Sequence, residues 1–262
     1  MNARLAGNQR LVARIGMGFA TSALLGPTPV LQAIEQCEKI LADGLSDRQA
    51  QGSIMCTIAQ LRAMSGDFGV ARSLYRAGRT LLRDLGQGVN AASTGLDVAR
   101  VELLAGDDLA RAEQMVRADF EFLQRTGETY FLSTMAALLS RIVCEQQRVE
   151  EALGLSKIAE DAAAADDVEA QVLWRIVRVP ILAQSGELAE AEATARTALE
   201  LAQRSEVPML QADTLFELAV VLQRGGQVDP ARNALREAIA LYTAKGDLTS
   251  AARATTWAER AV

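Results

Sequence analysis

Histidine is absent from this chain of 262 residues. Because histidine is the commonest general base and a very common metal ligand, its absence disfavours most catalytic and metal-dependent schemes. The sequence also has no GxSxG elbow, no SxxK pair and no GxxxxGK[ST] phosphate loop. We therefore expect a protein that is not an enzyme and that uses no metal and no cofactor.

Cysteine is scarce, and its placement excludes two kinds of site. Cys37, Cys56 and Cys144 are odd in number, lie far apart and form no CxxC pair, so neither a disulfide framework nor a zinc site is expected. A reducing cytoplasm fits this usage best. Cys56 and Cys144 fall on predicted helices, where they are either small core residues or reactive thiols.

The chain also lacks an excess of positive charge and a long uninterrupted apolar run. Its 27 basic and 33 acidic residues give a net charge of -6, so nucleic acid is not an expected partner. The apolar stretch 11–26 is interrupted by Arg14 and is too short to span a bilayer. A signal peptide is the alternative interpretation, but no convincing cleavage site follows, and we expect a first helix and no membrane association.

What the sequence does contain is a repeated glycine. The same point of a recurring phrase is occupied by Gly26, Gly66, Gly106, Gln147, Gly186 and Gly226, so the period is 39 to 41 residues and one position has glutamine instead. Hydrophobic residues make up 50% of the chain and aromatic residues only 4%, a composition that favours helix throughout. A fixed period of this size indicates a stacked helical repeat rather than a single globular core.

Each period reads as two amphipathic helices, A and B, joined by a tight turn. Gly66 suits the left-handed position that ends helix A, and Asp67 can cap helix B. Alanine follows most of the marks by five residues, as at Ala71 and Ala191, which lets the two helices lie close together. The predicted repeats are 8–44, 48–86, 90–126, 129–165, 168–205 and 209–245, with a capping helix at 248–261. A continuous helix A is expected at 90–105.

The turn phrase, glycine then Asp or Glu, a hydrophobic residue and alanine, resembles the tetratricopeptide repeat (TPR), although that unit is usually 34 residues long. This resemblance implies an all-α, right-handed α-solenoid of about six TPR-like helix-turn-helix repeats. The whole of 1–262 would then be one elongated domain.

A second resemblance rests on phrases outside the generic repeat. Gly26-Pro27-Thr28-Pro29-Val30, Tyr130-Phe131-Leu132-Ser133-Thr134 and Asp166-Asp167-Val168-Glu169-Ala170-Gln171-Val172-Leu173-Trp174-Arg175 are three of them. They resemble the C-terminal TPR-like region of large bacterial signalling proteins that pair a class III adenylate/guanylate cyclase with an AAA or STAND ATPase module. That resemblance implies a sensor or interaction segment, whose catalytic parts would lie in regions that this sequence does not contain.

The repeat also predicts which side chains face the concave groove. Residues at a fixed distance before the glycine line up on successive A helices, and these are Ser53, Gln60, Ser93, Arg100, Thr134, Arg141 and Asp213, with Phe216 at the apolar end. Arg100 and Arg141 would suit an acidic peptide or a small anion. The alternative is that they pair with the nearby Glu102 and Glu145.

We therefore expect a non-catalytic scaffold that binds a peptide or protein domain in its groove, as part of a larger bacterial signalling protein. The partner could be another domain of the same parent protein. The alternative is a solenoid that senses a small molecule, which an enclosed pocket would favour.

Overall fold

The computed structural model describes residues 9–260, and every regular element in that range is a helix. Residue 8 of the first predicted repeat and residue 261 of the predicted cap lie outside it, as do the outermost residues of the predicted single domain 1–262. None of the described helices is both long and apolar enough to cross a membrane.

The helices follow one another with short connections. They are α1 (Gln9–Leu25), α2 (Val30–Ala42), α3 (Arg48–Met64), α4 (Phe68–Asp84), α5 (Gly88–Ser93), α6 (Gly95–Ala105), α7 (Leu109–Thr126), α8 (Leu132–Glu145), α9 (Val149–Ala162), α10 (Val168–Gln184), α11 (Leu188–Ala202), α12 (Pro208–Arg224), α13 (Val228–Lys245) and α14 (Leu248–Arg260).

The helices form two layers of a solenoid. The A helices are α1, α3, α5 with α6, α8, α10 and α12, and each packs against the A helix of the next repeat. The B helices are α2, α4, α7, α9, α11 and α13. Each packs between its own A helix and the following one, except that α13 packs between α12 and the capping helix α14. The A helices therefore form a continuous inner wall, while the B helices form the outer layer.

The turn between A and B is left-handed at the predicted marks, with one exception. Gly66, Gly106, Gly186 and Gly226 have φ between 69° and 85°, whereas Gly26 is not among the residues of positive φ. Gln147 has φ 63° and is the one non-glycine residue with positive φ among residues 9–260. Position 147 thus keeps the left-handed conformation of the other turns, although glutamine disfavours it.

The helix starts and the A–B crossings also follow the predicted chemistry. The Asp67 side chain accepts a hydrogen bond from the Val70 amide at 3.3 Å, as an N-cap does. The alanines five or six residues after the marks are almost fully buried: Ala71, Ala112, Ala152, Ala191 and Ala231. Small side chains are therefore enclosed wherever helix B crosses helix A.

The prediction of a continuous A helix at 90–105 is wrong, because this helix is broken at Thr94 between α5 and α6. The Arg79 guanidinium enters from α4, donates to Thr94 Oγ1 at 3.1 Å and lies 2.7 Å from Asp119 Oδ2 on α7. A Cβ on Gly95 would lie 2.7 Å from the same carboxylate oxygen. The buried ion pair therefore packs directly against the break and leaves no room for a side chain at position 95.

The three cysteines are core residues. Cys37, Cys56 and Cys144 are free and at most 1% exposed. Burial raises the pKa of the Cys37 thiol to about 11 and raises the pKa of the other two as well. Since the thiolate is the reactive form, the core interpretation is favoured over that of a reactive thiol.

The two ends of the solenoid meet. Lys245 Nζ, in the last turn of α13, donates to the carbonyl oxygens of Ala23, Gly26 and Thr28 at 2.7–2.8 Å. Thr249 Oγ1, at the start of α14, donates to the carbonyls of Ala63 and Met64 at 2.8 and 3.2 Å. These contacts, which we call the seam, close the superhelix into a ring, so α14 bridges to the second repeat as well as packing on α13.

Candidate functional site: two cavities on the inner wall

Two adjacent cavities lie on the inner wall. The polar cavity has a volume of about 280 Å³ and is lined largely by hydroxyl, amide and carboxylate groups, including those of Ser53, Thr57, Gln60, Ser93, Asp97 and Thr134. The apolar cavity has a volume of about 220 Å³, and its apolar lining includes Leu103, Leu104, Leu138, Leu173, Ile176 and Met209. Leu24, Leu25, Gln60, Arg100 and Glu169 line both cavities.

An ion pair stands where the two cavities meet. Arg100 Nη2 on α6 donates to Glu169 Oε1 on α10 at 2.9 Å. The two side chains come from A helices two repeats apart, so they reach across the inner wall past α8. Both are partly exposed, with relative side-chain areas of 28% and 37%, as expected for groups that face an open space.

Arg141 makes the same kind of contact one repeat further along. Its Nη1 lies 2.7 Å from Glu217 Oε1 on α12, and its Nε lies 2.9 Å from Glu145 Oε1 on α8. Burial opposes the charge of this guanidinium, but the carboxylates of Glu217 and Glu145 outweigh burial and raise its pKa. Arg141 is therefore held between two carboxylates as a permanent cation.

These contacts give both arginines carboxylate partners within the chain, while their binding of an acidic peptide or a small anion stays a prediction. The alternative pairing is confirmed for Arg141 with Glu145, whereas Glu102 pairs instead with Arg72 at 2.6 Å. The physical reason is the curvature of the ring, which brings together A helices two repeats apart. Five carboxylates and three arginines line the apolar cavity, so its formal charge is negative. An acidic ligand would be repelled there.

A carboxylate that the sequence did not single out lies at the base of the polar cavity. Asp97 Oδ1 accepts a hydrogen bond from Gln60 Nε2 at 2.5 Å. Burial raises the pKa of Asp97 to about 6, although Gln60, Arg100 and Arg79 act in the opposite direction. The repeat pattern does not distinguish Asp97 from the other polar residues of the A helices, so the sequence did not predict it as a site residue.

Two further carboxylates line the apolar cavity near the seam. Asp213 Oδ1 accepts a hydrogen bond from the Tyr242 hydroxyl at 2.6 Å, and burial raises its pKa. Asp247 caps α14 by accepting from the Ser250 amide at 2.9 Å, and burial raises its pKa to about 6. Asp247 follows Gly246 as Asp67 follows Gly66, so its capping role was readable from the sequence while its place in a cavity was not.

The predicted groove residues divide between the two cavities. Ser53, Gln60, Ser93, Arg100 and Thr134 line the polar cavity, and Gln60, Arg100, Arg141 and Asp213 line the apolar one. Phe216 lines neither. It is 6% exposed, packs edge-on against Trp257 at 6.1 Å and has the Arg253 guanidinium 5.1 Å from its ring centre. That these residues bind a ligand stays a prediction.

The inner wall offers groups that can bind a ligand. Within residues 9–260 no three His, Cys, Asp or Glu side chains are grouped so that they could hold a metal ion. What the wall combines is hydrogen-bonding groups on one side and aliphatic side chains on the other. This combination suits recognition of a ligand with both polar and apolar parts.

The fold is similar to that of several solved structures. The structure of NprR in complex with its cognate peptide NprX has a TM-score of 0.67 at 14% identity, over 92% of this chain and 70% of that one. A Rap protein complexed with Competence and Sporulation Factor gives 0.63 at 12% identity, over 97% and 87%. BtubC (BKLC) from P. vanneervenii gives 0.57 at 16% identity, over 88% and 91%.

NprR and Rap are TPR-like helical repeat proteins, so the prediction of an all-α TPR-like solenoid is confirmed. No protein-family model matches this sequence, and no curated protein matches it. At these identities the likeness establishes the fold and nothing finer.

Proposed function

We propose that this chain is a non-catalytic regulatory domain that binds a short peptide on the inner wall of its ring. The observation that carries the proposal is the pair of adjoining cavities, one polar and one apolar, lined by A helices from every repeat. The solved structures of NprR in complex with its cognate peptide NprX and of a Rap protein complexed with Competence and Sporulation Factor support it, because proteins of this fold hold such ligands.

The lining defines the chemistry of the peptide. Each cavity is smaller than the roughly 300–1,000 Å³ of most ligand pockets, so the occupant is a few residues long. Aliphatic side chains would fill the space beside Leu103, Leu138 and Leu173, and backbone or hydroxyl groups would bond to Ser53 and Ser93. Because carboxylates outnumber arginines, a neutral or cationic peptide is favoured over an acidic one.

The setting of this domain follows from the second sequence resemblance. Regulatory tails of bacterial cyclase and STAND ATPase proteins are TPR-like, and a peptide-responsive solenoid in that position would control catalytic parts elsewhere in a longer cytoplasmic protein. The partner of the ring would then include other domains of the parent. This assignment is part of the proposal and rests on the phrases around Thr28, Tyr130 and Asp166.

Isothermal titration calorimetry against a library of neutral and cationic tri- to pentapeptides tests the proposal. Leu103→Asn, in the apolar cavity, should weaken binding of a selected peptide about tenfold, since a buried aliphatic contact is lost. Leu85→Asn is the matched control, because Leu85 is exposed at the end of α4 and lines neither cavity. Equal affinities for the two variants, or no peptide bound at all, would contradict the proposal.

A small-molecule sensor is the second candidate, and the seam is the observation that favours it. Ring closure places α1 and α3 opposite α12 and α14 around the apolar cavity, which encloses the space more than an open groove would. Native mass spectrometry of the chain purified from a bacterial host distinguishes the two. A stoichiometric metabolite that blocks peptide binding would favour the sensor.

A further inference from the structure

The side chains of Lys245 and Thr249 hold the seam, and both donate hydrogen bonds to main-chain carbonyl groups at the end of a helix. The last carbonyl groups of a helix have no partner within it and carry partial negative charge. Lys245 donates to three carbonyls at the end of α1 and in the turn that follows, and Thr249 donates to two at the end of α3. The seam thus supplies donors to carbonyl groups at the ends of two helices, of which the Ala63 carbonyl also accepts from the Gly66 amide at 2.9 Å.

The lysine of the seam is unusual among the lysines of this chain. Lys245 is 1% exposed, whereas Lys39 and Lys157 are on the surface. Burial lowers the pKa of Lys245 to about 8, so it stays protonated at neutral pH, with three protons for three carbonyl acceptors. The three carbonyl acceptors of Lys245 lie 217 to 222 residues away from it in the sequence. The structural role of this buried cation is therefore to hold the first repeat against the last.

The apolar cavity straddles the seam. Leu24 and Leu25 of α1 and Met64 of α3 line it from one side, and Met209 of α12 and Asp247 of α14 line it from the other. Separating the two ends of the ring would therefore open the cavity directly. Conversely, an occupant that touches both sides binds the closed ring more tightly and stabilises the seam by the same free energy.

We propose that Lys245 and Thr249 form a latch that controls entry to the apolar cavity, so that ligands exchange when the ring opens and are retained when it closes. The occupant's identity rests on the proposed function, but the gating does not. The latch converts binding at the inner wall into a change in the distance between the first and last repeats, which another domain can detect.

Access to the cavity can be measured without any ligand. Leu210→Cys places a thiol on the cavity wall at a position that is 7% exposed in the closed ring, so its rate of modification by N-ethylmaleimide reports how often the cavity is open. The native cysteines are buried, and the unsubstituted chain gives their background rate. A neutral reagent is chosen so that removing the lysine charge does not change its local concentration.

Adding Lys245→Met to this chain should increase the modification rate about tenfold or more, since hydrogen bonds from a charged donor are lost. Thr249→Val, which changes no charge, should increase it to a smaller extent and serves if Lys245→Met fails to fold. Lys157→Met, on the exposed face of α9, is the matched control and should change nothing. Folding is checked by circular dichroism for each variant.

The outcomes separate the latch from the proposed function. Faster modification in both seam variants supports the latch even if no peptide binds. Unchanged rates in folded Lys245→Met and Thr249→Val would overturn the latch even if peptides bind. Where a peptide from the library does bind, the latch further requires that it dissociate faster from Lys245→Met than from Lys157→Met.

Discussion

Replacing Arg79 with methionine tests whether the buried pair at the break between α5 and α6 stabilises the third repeat. The side chains of Arg79 and Asp119 are 4% and 8% exposed, and their closest nitrogen and oxygen atoms are 2.7 Å apart. Methionine replaces the unbranched stem of the arginine but not its guanidinium, so it leaves the Asp119 carboxylate buried without its cation. Removing one partner of such a pair costs about 3–5 kcal/mol of unfolding free energy.

Urea unfolding followed by far-UV circular dichroism measures this loss. Because helical repeats can unfold in separate steps, hydrogen exchange of the amides in α5, α6 and α7 should locate it. Arg125→Met is the matched control, since Arg125 and Glu121 form an exposed pair 3.8 Å apart. Such surface pairs contribute about 0–1 kcal/mol.

A double variant and a pH series then distinguish a lost pair from a damaged core. Arg79→Met with Asp119→Leu removes both charges, and replacing a buried pair by apolar groups is often neutral, so most of the loss should be recovered. Burial already raises the pKa of Asp119, with Arg79 opposing. In Arg79→Met that opposition is gone, so the folded state binds the proton more tightly and the variant regains stability as pH falls. A loss below about 1 kcal/mol, or simple additivity in the double variant, would refute this reasoning.

Three further outcomes are expected. Ala191→Leu should overpack the crossing of α10 and α11 and lower the free energy of unfolding by about 1–3 kcal/mol, because Ala191 is fully buried. Ala193→Leu, on the exposed face of α11, should be near neutral. Equal melting temperatures for the two variants would contradict this packing. Gln147→Gly relieves a left-handed residue (φ 63°) and should stabilise by up to about 1 kcal/mol, whereas Gln146→Gly, at φ -88°, should give no gain in urea unfolding. Burial raises the pKa of Asp247 to about 6, so the folded state binds its proton more tightly than the unfolded chain does, and stability contributed by this group rises as pH falls from about 6 towards 4. Asp247→Asn should remove that rise in a pH series of thermal melts, and an unchanged pH profile would show that the group is not buried as described.

The turns and the close helix crossings could be predicted from the sequence, because the same residue pattern recurs in successive repeats. The forty-residue period placed Gln147 in a left-handed turn although glutamine itself gives no such signal, and it placed Ala191 at a close crossing. Each of these features depends on one helix pair. The same constraint recurs in every repeat, so a single sequence contains several independent examples of it.

The pairing on the inner wall could not be read in the same way. Arg100 and Arg141 were placed on a common line, but their partners Glu169 and Glu217 lie two repeats further along. Which helices face each other at that distance depends on the curvature summed over several repeats. No local pattern encodes that sum, so these two carboxylates that face the arginines could not be predicted from the sequence.

The break at Thr94 and the seam have the same origin. Arg79 reaches Thr94 and Asp119 from the preceding repeat, and Lys245 reaches Ala23 across a sequence separation of 222 residues. A helical pattern describes the segment that carries it and says nothing about a side chain inserted from elsewhere. The break therefore requires two adjacent repeats to be packed together, and the seam requires the closed ring.

The seam fixes the number of repeats in this solenoid. An open stack can gain or lose a helix pair at either end with little effect on the units that remain, since each touches only its neighbours. Here the bond from Lys245 to the carbonyls of Ala23, Gly26 and Thr28 exists only when the accumulated rotation brings the last turn onto the first. Deleting or duplicating one internal pair would carry Lys245 past those acceptors and expose it to solvent, so the number of repeats is itself a condition for closing the ring.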